Sequence, residues 1–134
     1  MGCPTFLIDD DPISALLTEH VLRLQNFSQD ITTFHQAEAA LTYLLDNLAG
    51  ALPAVILLDL NMPVVSGWDF LNALKPYQHL LPTTLKIFIL TSSLDTEDQQ
   101  KSKEYSLVSG FIQKPLDAED IQLIKDALAS NTPG

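Results

Sequence analysis

Three consecutive carboxylates follow an apolar run in the stretch FLIDDDPI, residues 6–13. Burial disfavours an ionised carboxylate and a like-charged neighbour raises its pKa further, so Asp9, Asp10 and Asp11 need a reason to stand together. A bound cation supplies one. A solvated turn supplies another, with Asp11 capping the helix that Pro12 opens, and Asp11 is read in that way. Other groups with chemical capacity stand at similar junctions: Asp59 closes AVILLD, Thr91 closes KIFILT, and Lys114 follows LVSGFI. Carboxylates gathered at one place suit a hard divalent cation such as magnesium, which prefers carboxylate and water oxygens. An ammonium and a hydroxyl beside them are the equipment for holding a phosphoryl group during in-line transfer. Asp59 is central enough in that set to serve as the nucleophile.

These residues meet only if the intervening elements bring them together. The apolar runs are short and alternate with helical patterns, as in beta-alpha-beta units around a parallel sheet. The runs TFLID (5–9), DITTF (30–34), AVILLD (54–59), KIFILT (86–91) and LVSGFI (107–112) predict five strands. The first, third and fourth are nearly continuous in apolar residues, as expected of strands covered on both faces. Helices are predicted from Pro12, with Leu16, Leu17, Val21, Leu22 and Leu24 as an apolar stripe, and over 36–48, 66–74, 95–105 and 117–129. Ser66 with Asp69, and Asp117 with Asp120, have helix-entry spacing. Residues 75–85, with two prolines, read as a loop. In such a sheet the carboxyl ends of the strands share one edge, and sites form where the winding reverses. Asp9, Asp10, Asp59, Thr91 and Lys114 then become neighbours.

The 134-residue chain fits one domain. Its charge of -10, with seven scattered basic residues, argues against direct nucleic-acid binding. The single Cys3 excludes an internal disulfide and a cysteine-built metal site. No signal-peptide pattern and no apolar run of membrane-spanning length is present, so a soluble, cytoplasmic protein that does not bind membranes is expected.

With these residues in view, the chain resembles a receiver domain of the bacterial response-regulator family. The motifs IDD (8–10), LLDLNMPVVSG (57–67), ILTS (89–92) and FIQKP (111–115) follow in the family's order, and Asp59, Met62, Pro63 and Gly67 fit its central pattern. The likeness covers residues 5 to about 129, with 1–134 expected to form a single, stand-alone receiver domain. It implies a flavodoxin-like (βα)5 fold, a doubly wound five-stranded parallel sheet in the order 2-1-3-4-5. Asp59 would accept a phosphoryl group from a phosphohistidine on a sensor histidine kinase or phosphotransfer protein. Mg2+, or Mn2+ in its place, would be held by Asp10, Asp59 and the backbone carbonyl of Asn61, with Asp9 assisting through water. Thr91 and Lys114 would bind phosphoryl oxygens, Thr91 and Phe111 would form the switch, and Asn61 and Ser93 would tune dephosphorylation. The expected protein is a two-component phosphoacceptor and not an enzyme, one that switches an unidentified protein target or relays phosphate.

Two departures from the family pattern stand out: Leu107 and Val108 replace a common glycine-alanine pair, and the 75–85 segment is slightly long. Both concern the partner-facing side rather than the acid pocket. His20, His35 and His79 read as structural or solvated, not as phosphocarriers. An aspartyl phosphatase is disfavoured because Asn61 stands where such enzymes want a second acid. A flavin carrier is disfavoured because DDDPIS would repel a flavin phosphate. A fold kept only for phosphorylation-independent binding is disfavoured by the complete pocket set.

Overall fold

The computed structural model describes residues 4–50, 52–60, 62, 66–82, 84–92 and 95–129. Five strands, β1 Thr5–Ile8, β2 Ile31–Phe34, β3 Val55–Asp59, β4 Lys86–Thr91 and β5 Val108–Gln113, alternate with helices α1 Pro12–Leu24, α2 Ala37–Asp46, α3 Gly67–Leu74, α4 Thr96–Ser102 and α5 Ala118–Ala129. The strands form one sheet in the order β2-β1-β3-β4-β5, every adjacent pair parallel. This is the predicted doubly wound, flavodoxin-like sheet.

β1 and β3 are buried along their whole length and β4 nearly so, whereas β2 and β5, at the edges, are only partly covered. Alternate residues of the central strands feed two cores. Phe6, Ile8, Ile56, Leu58, Ile87 and Ile89 pack with Ala40 and Leu44 of α2 and Phe70, Leu71 and Leu74 of α3. Leu7, Val55, Leu57, Phe88 and Leu90 pack with Ala15 and Leu22 of α1 and Ile121 and Ile124 of α5. Removing both faces of the sheet from water is the main driving force for this architecture.

Local signals fix the helix ends. Asp11 accepts from the Ile13 N–H at 3.0 Å with Pro12 behind it, so its reading as the cap of α1 holds. α1 stops where Asn26 takes φ 54°, a left-handed position that Asn tolerates, and the Phe27 N–H closes on the Leu22 carbonyl. Ser66 and Asp69 form a reciprocal capping box for α3, and Asp117 and Asp120 exchange backbone bonds ahead of α5.

Three elements differ from expectation. The buried face of α1 is Ala15, Thr18 and Leu22, while Leu16, Leu17 and Leu24 of the expected stripe are 65%, 58% and 65% exposed. Ala15 and Thr18, being small, let the helix lie close to the sheet beside Leu22, and the other three leucines are turned outward. Residues 75–80 form a 3-10 helix rather than a loop, Pro76 being tolerated in its first turn. α4 ends at Ser102 instead of continuing to Tyr105 and has no fully buried residue. It is tied to α3 by Tyr105, whose ring stacks on Trp68 at 5.5 Å and whose hydroxyl donates to Asn72 Oδ1 at 2.9 Å. Lys101 lies 4.8 Å from the Trp68 ring centroid and Lys75 4.9 Å from that of Tyr105. No helix among the described residues is long and apolar enough to cross a membrane.

Candidate functional site

Strand register assembles the site. Ile8 pairs with Leu58, so Asp9 and Asp59 are next in line on adjacent strands at the point where the winding reverses. Asp59 pairs with Leu90, which brings Thr91 to the same edge, and Thr91 pairs with Gln113, immediately before Lys114. The Lys114 N–H donates to the Thr91 carbonyl at 2.8 Å and ties the last two members together. Gly67 packs against the end of β3, where a Cβ would stand 3.0 Å from the Asp59 carbonyl oxygen and 3.0 Å from Leu60 Cα. Only glycine permits that approach without displacing the backbone of Asp59.

Asp9, Asp10 and Asp59 each offer a carboxylate oxygen, and these oxygens lie within 4.8 Å of one another. Asp9 and Asp59 are buried, while Asp10 is more open. Lys114 Nζ donates to Asp9 Oδ2 at 2.8 Å and lies 3.3 Å from Asp59 Oδ2, bridging the two buried acids. Burial by itself pushes the Asp9 carboxyl upward. The Lys114 hydrogen bond, the Asp11 N–H, the Ser14 hydroxyl and the lysine charge outweigh it and hold Asp9 below the ordinary aspartate range. A set of hard carboxylate oxygens with one open member fits a hard divalent cation that keeps several waters.

Thr91 is buried at the rim. Phe111, opposite Ile89, is half-buried against the α2–α3 core and lines a cleft of about 420 Å³ between α4 and β5. Asn61, Pro63 and Ser93 lie outside the described residues. Two contacts were not foreseen from the sequence. Ser14, in the first turns of α1, accepts from Lys114 Nζ at 2.9 Å. His35 Nδ1 lies 3.0 Å from the Asp9 carbonyl oxygen, a hydrogen bond in the Nδ1–H tautomer. The one sequence signal that could have pointed to the first contact is a serine one turn into a helix that starts at an acid cluster.

The profile of the response regulator receiver domain matches residues 5–125. The chain belongs to this receiver family. It is 31% identical over 119 residues to the probable methanogenesis regulatory protein FilR2 of Methanothrix harundinacea (strain 6Ac), covering 87% of this chain and 74% of that protein. It is 28% identical to the two-component response regulator ORR1 of Oryza sativa subsp. japonica, covering 94% of this chain but only 55% of the rice protein. Among solved structures, a two-component response regulator from Cytophaga hutchinsonii superposes with a TM-score of 0.85 at 26% identity, covering 97% of this chain and 99% of that one. A Vibrio cholerae chemotaxis protein, CheY4, shares the fold with a TM-score of 0.73. Receivers related to this one thus occur in an archaeon and a plant as well as in bacteria. As a receiver of two-component signalling, the chain carries its acidic cluster where the winding of its sheet reverses.

Proposed function

We propose that this receiver takes a phosphoryl group onto Asp59 from a phosphohistidine of a sensor histidine kinase or phosphotransfer protein. The observation that carries the reading is the Lys114 ammonium 3.3 Å from Asp59 Oδ2, with Asp9 and Asp10 beside it and Thr91 on the adjoining strand. In the transfer the donor's P–N bond breaks as an Asp59 Oδ–P bond forms, and the donor imidazole keeps the electron pair and takes up a proton. Asp10 and Asp59, with the carbonyl of Asn61, would hold Mg2+ (Mn2+ would serve), Asp9 reaching it through water. The cation supplies charge neutralisation for the phosphoryl oxygens. Lys114 donates to one of those oxygens and Thr91 to another.

The outward side of α1 supports the approach of a protein donor. Ile13, Leu16 and Leu17 are 72%, 65% and 58% exposed on the helix that starts at the site. Exposed apolar side chains on the helix beside the site suit a protein contact. Phosphorylation adds roughly two negative charges at the sheet edge, to which Thr91 and then Phe111 respond, changing affinity for a protein target or passing the phosphoryl group on. The phosphorylated form is a signalling state, and turnover of a small substrate is not its task. Asn61 and Ser93 set how readily water reaches the acyl phosphate.

The test is intact mass after incubation with acetyl phosphate. A magnesium-dependent gain of one phosphoryl group in the wild type, absent from Asp59→Asn, supports the assignment. Phosphorylation that persists unchanged in Asp59→Asn, or that needs no divalent cation, overturns it.

A further inference from the structure

The Lys114 ammonium donates to Asp9 Oδ2 at 2.8 Å and to Ser14 Oγ at 2.9 Å, and it forms an ion pair with Asp59 Oδ2 at 3.3 Å. The Ser14 hydroxyl also helps hold the Asp9 carboxyl below the ordinary aspartate range, so it bears on both members of the Asp9–Lys114 pair. Two of these three partners are carboxylates of the cluster that suits a divalent cation. A cation there competes for those oxygens and repels the ammonium. Ser14 is neutral, and its oxygen stays available. Its place is also fixed, one turn behind the Asp11 cap of α1. The lysine side chain is 16% exposed, so without this anchor its flexible stem has a way out to water.

We infer that Ser14 is a positioning residue for phosphoryl transfer, anchoring Lys114 Nζ beside Asp59 once a divalent cation has engaged the carboxylates. The inference rests on the reading of Asp59 as acceptor. It predicts a division of labour: the two carboxylates hold the lysine before the cation arrives, and Ser14 holds it afterwards. The wall of the groove between α1 and residues 114–116, about 460 Å³ in volume, includes both Ser14 and Lys114. The anchor therefore lies on the same side as the exposed face of α1.

The experiment compares wild type, Ser14→Ala and Ser14→Thr with acetyl phosphate at saturating magnesium. Loss of one hydrogen bond to a charged group predicts a phosphorylation rate lower by about tenfold in Ser14→Ala. Magnesium affinity should stay within about twofold, and Ser14→Thr, which keeps the hydroxyl, should recover most of the rate. In a Lys114→Met background Ser14→Ala should add no further loss, because Ser14 acts through the lysine. Independently of phosphorylation, the Lys114 Cε order parameter, read by NMR relaxation in magnesium, should fall in Ser14→Ala.

A wild-type rate in Ser14→Ala overturns the inference. So does a defect that Ser14→Thr does not relieve, or one that persists in the Lys114→Met background. If the wild type takes up no phosphoryl group, the acceptor reading fails. The anchor is then judged by lysine mobility, and an unchanged order parameter rejects it.

Discussion

Replacing Lys114 with methionine removes the ammonium while keeping most of the apolar stem. Asp9, whose side chain is wholly inaccessible to solvent, then loses its ion-pair partner among the described residues. Removing one partner of a fully buried ion pair costs about 3–5 kcal/mol. Here the lysine is 16% exposed and Asp9 keeps the Asp11 N–H at 3.0 Å, so a loss of about 2 kcal/mol is expected. With an m-value of roughly 1.5 kcal/mol/M, the urea midpoint at pH 7 in EDTA should drop by about 1.3 M.

Two conditions should narrow the gap between wild type and Lys114→Met. Magnesium, binding the folded state, replaces the missing positive charge and should restore more stability to the variant than to the wild type. Acid should narrow it too, and the sign follows from Asp9. In the wild type its folded pKa is depressed, so its stabilisation is present above the unfolded pKa and lost as pH falls through the folded value. In the variant both lysine contributions are gone and burial counts for more, so the folded pKa of Asp9 lies higher than in the wild type and less stability is lost as pH falls. Equal midpoints at pH 7 in EDTA, or a gap indifferent to both magnesium and acid, would refute the reasoning.

Gly110→Ala should destabilise the fold by about 1–3 kcal/mol in urea, since a Cβ there would meet Phe88 Cε1 at 2.7 Å in a fully packed core. Adding Phe88→Leu should recover part of the loss if that clash is the cause. Asp10→Ala should weaken magnesium binding about tenfold or more by titration, and unchanged affinity would remove Asp10 from the metal site. At the entry to α5 the Asp120 carboxyl is raised by burial first, outweighing the Asp117 N–H that it accepts, with the Asp117 charge adding to the rise. Its contribution to stability is therefore largest below the unfolded pKa and declines as pH rises through the folded one. Asp120→Asn, which keeps an acceptor for the Asp117 N–H, should raise the melting temperature slightly at pH 7 and make no difference near pH 3.

The sheet and its order were legible because β1, β3 and β4 are apolar on both faces and end in Ile8-Asp9, Asp59 and Thr91. Those junctions named most of the pocket as well, since in a parallel sheet every carboxyl end shares one edge. The inner face of α1 was not legible. Leu16, Leu17 and Leu24 outweigh Ala15 and Thr18 on any hydropathy count, yet the small residues permit close helix-to-sheet approach and so take the inside. The end of α4 was not legible because Lys103 and Glu104 suit a helix as well as a turn, and only the three-dimensional place of Tyr105 against Trp68 decides between them. Ser14 and His35 stayed hidden because their partners, Lys114 and the Asp9 carbonyl, are distant in sequence.

The attachment of α4 has a thermodynamic consequence. α4 itself has no fully buried residue, so its lifting exposes little apolar surface beyond the Trp68–Tyr105 contact that Lys101 and Lys75 cover. Heat capacity and denaturant sensitivity both scale with that surface, so such an opening leaves almost no trace in a calorimeter or on a urea curve. The protein's single tryptophan sits at the joint, and its emission reports an event that bulk unfolding methods pass over.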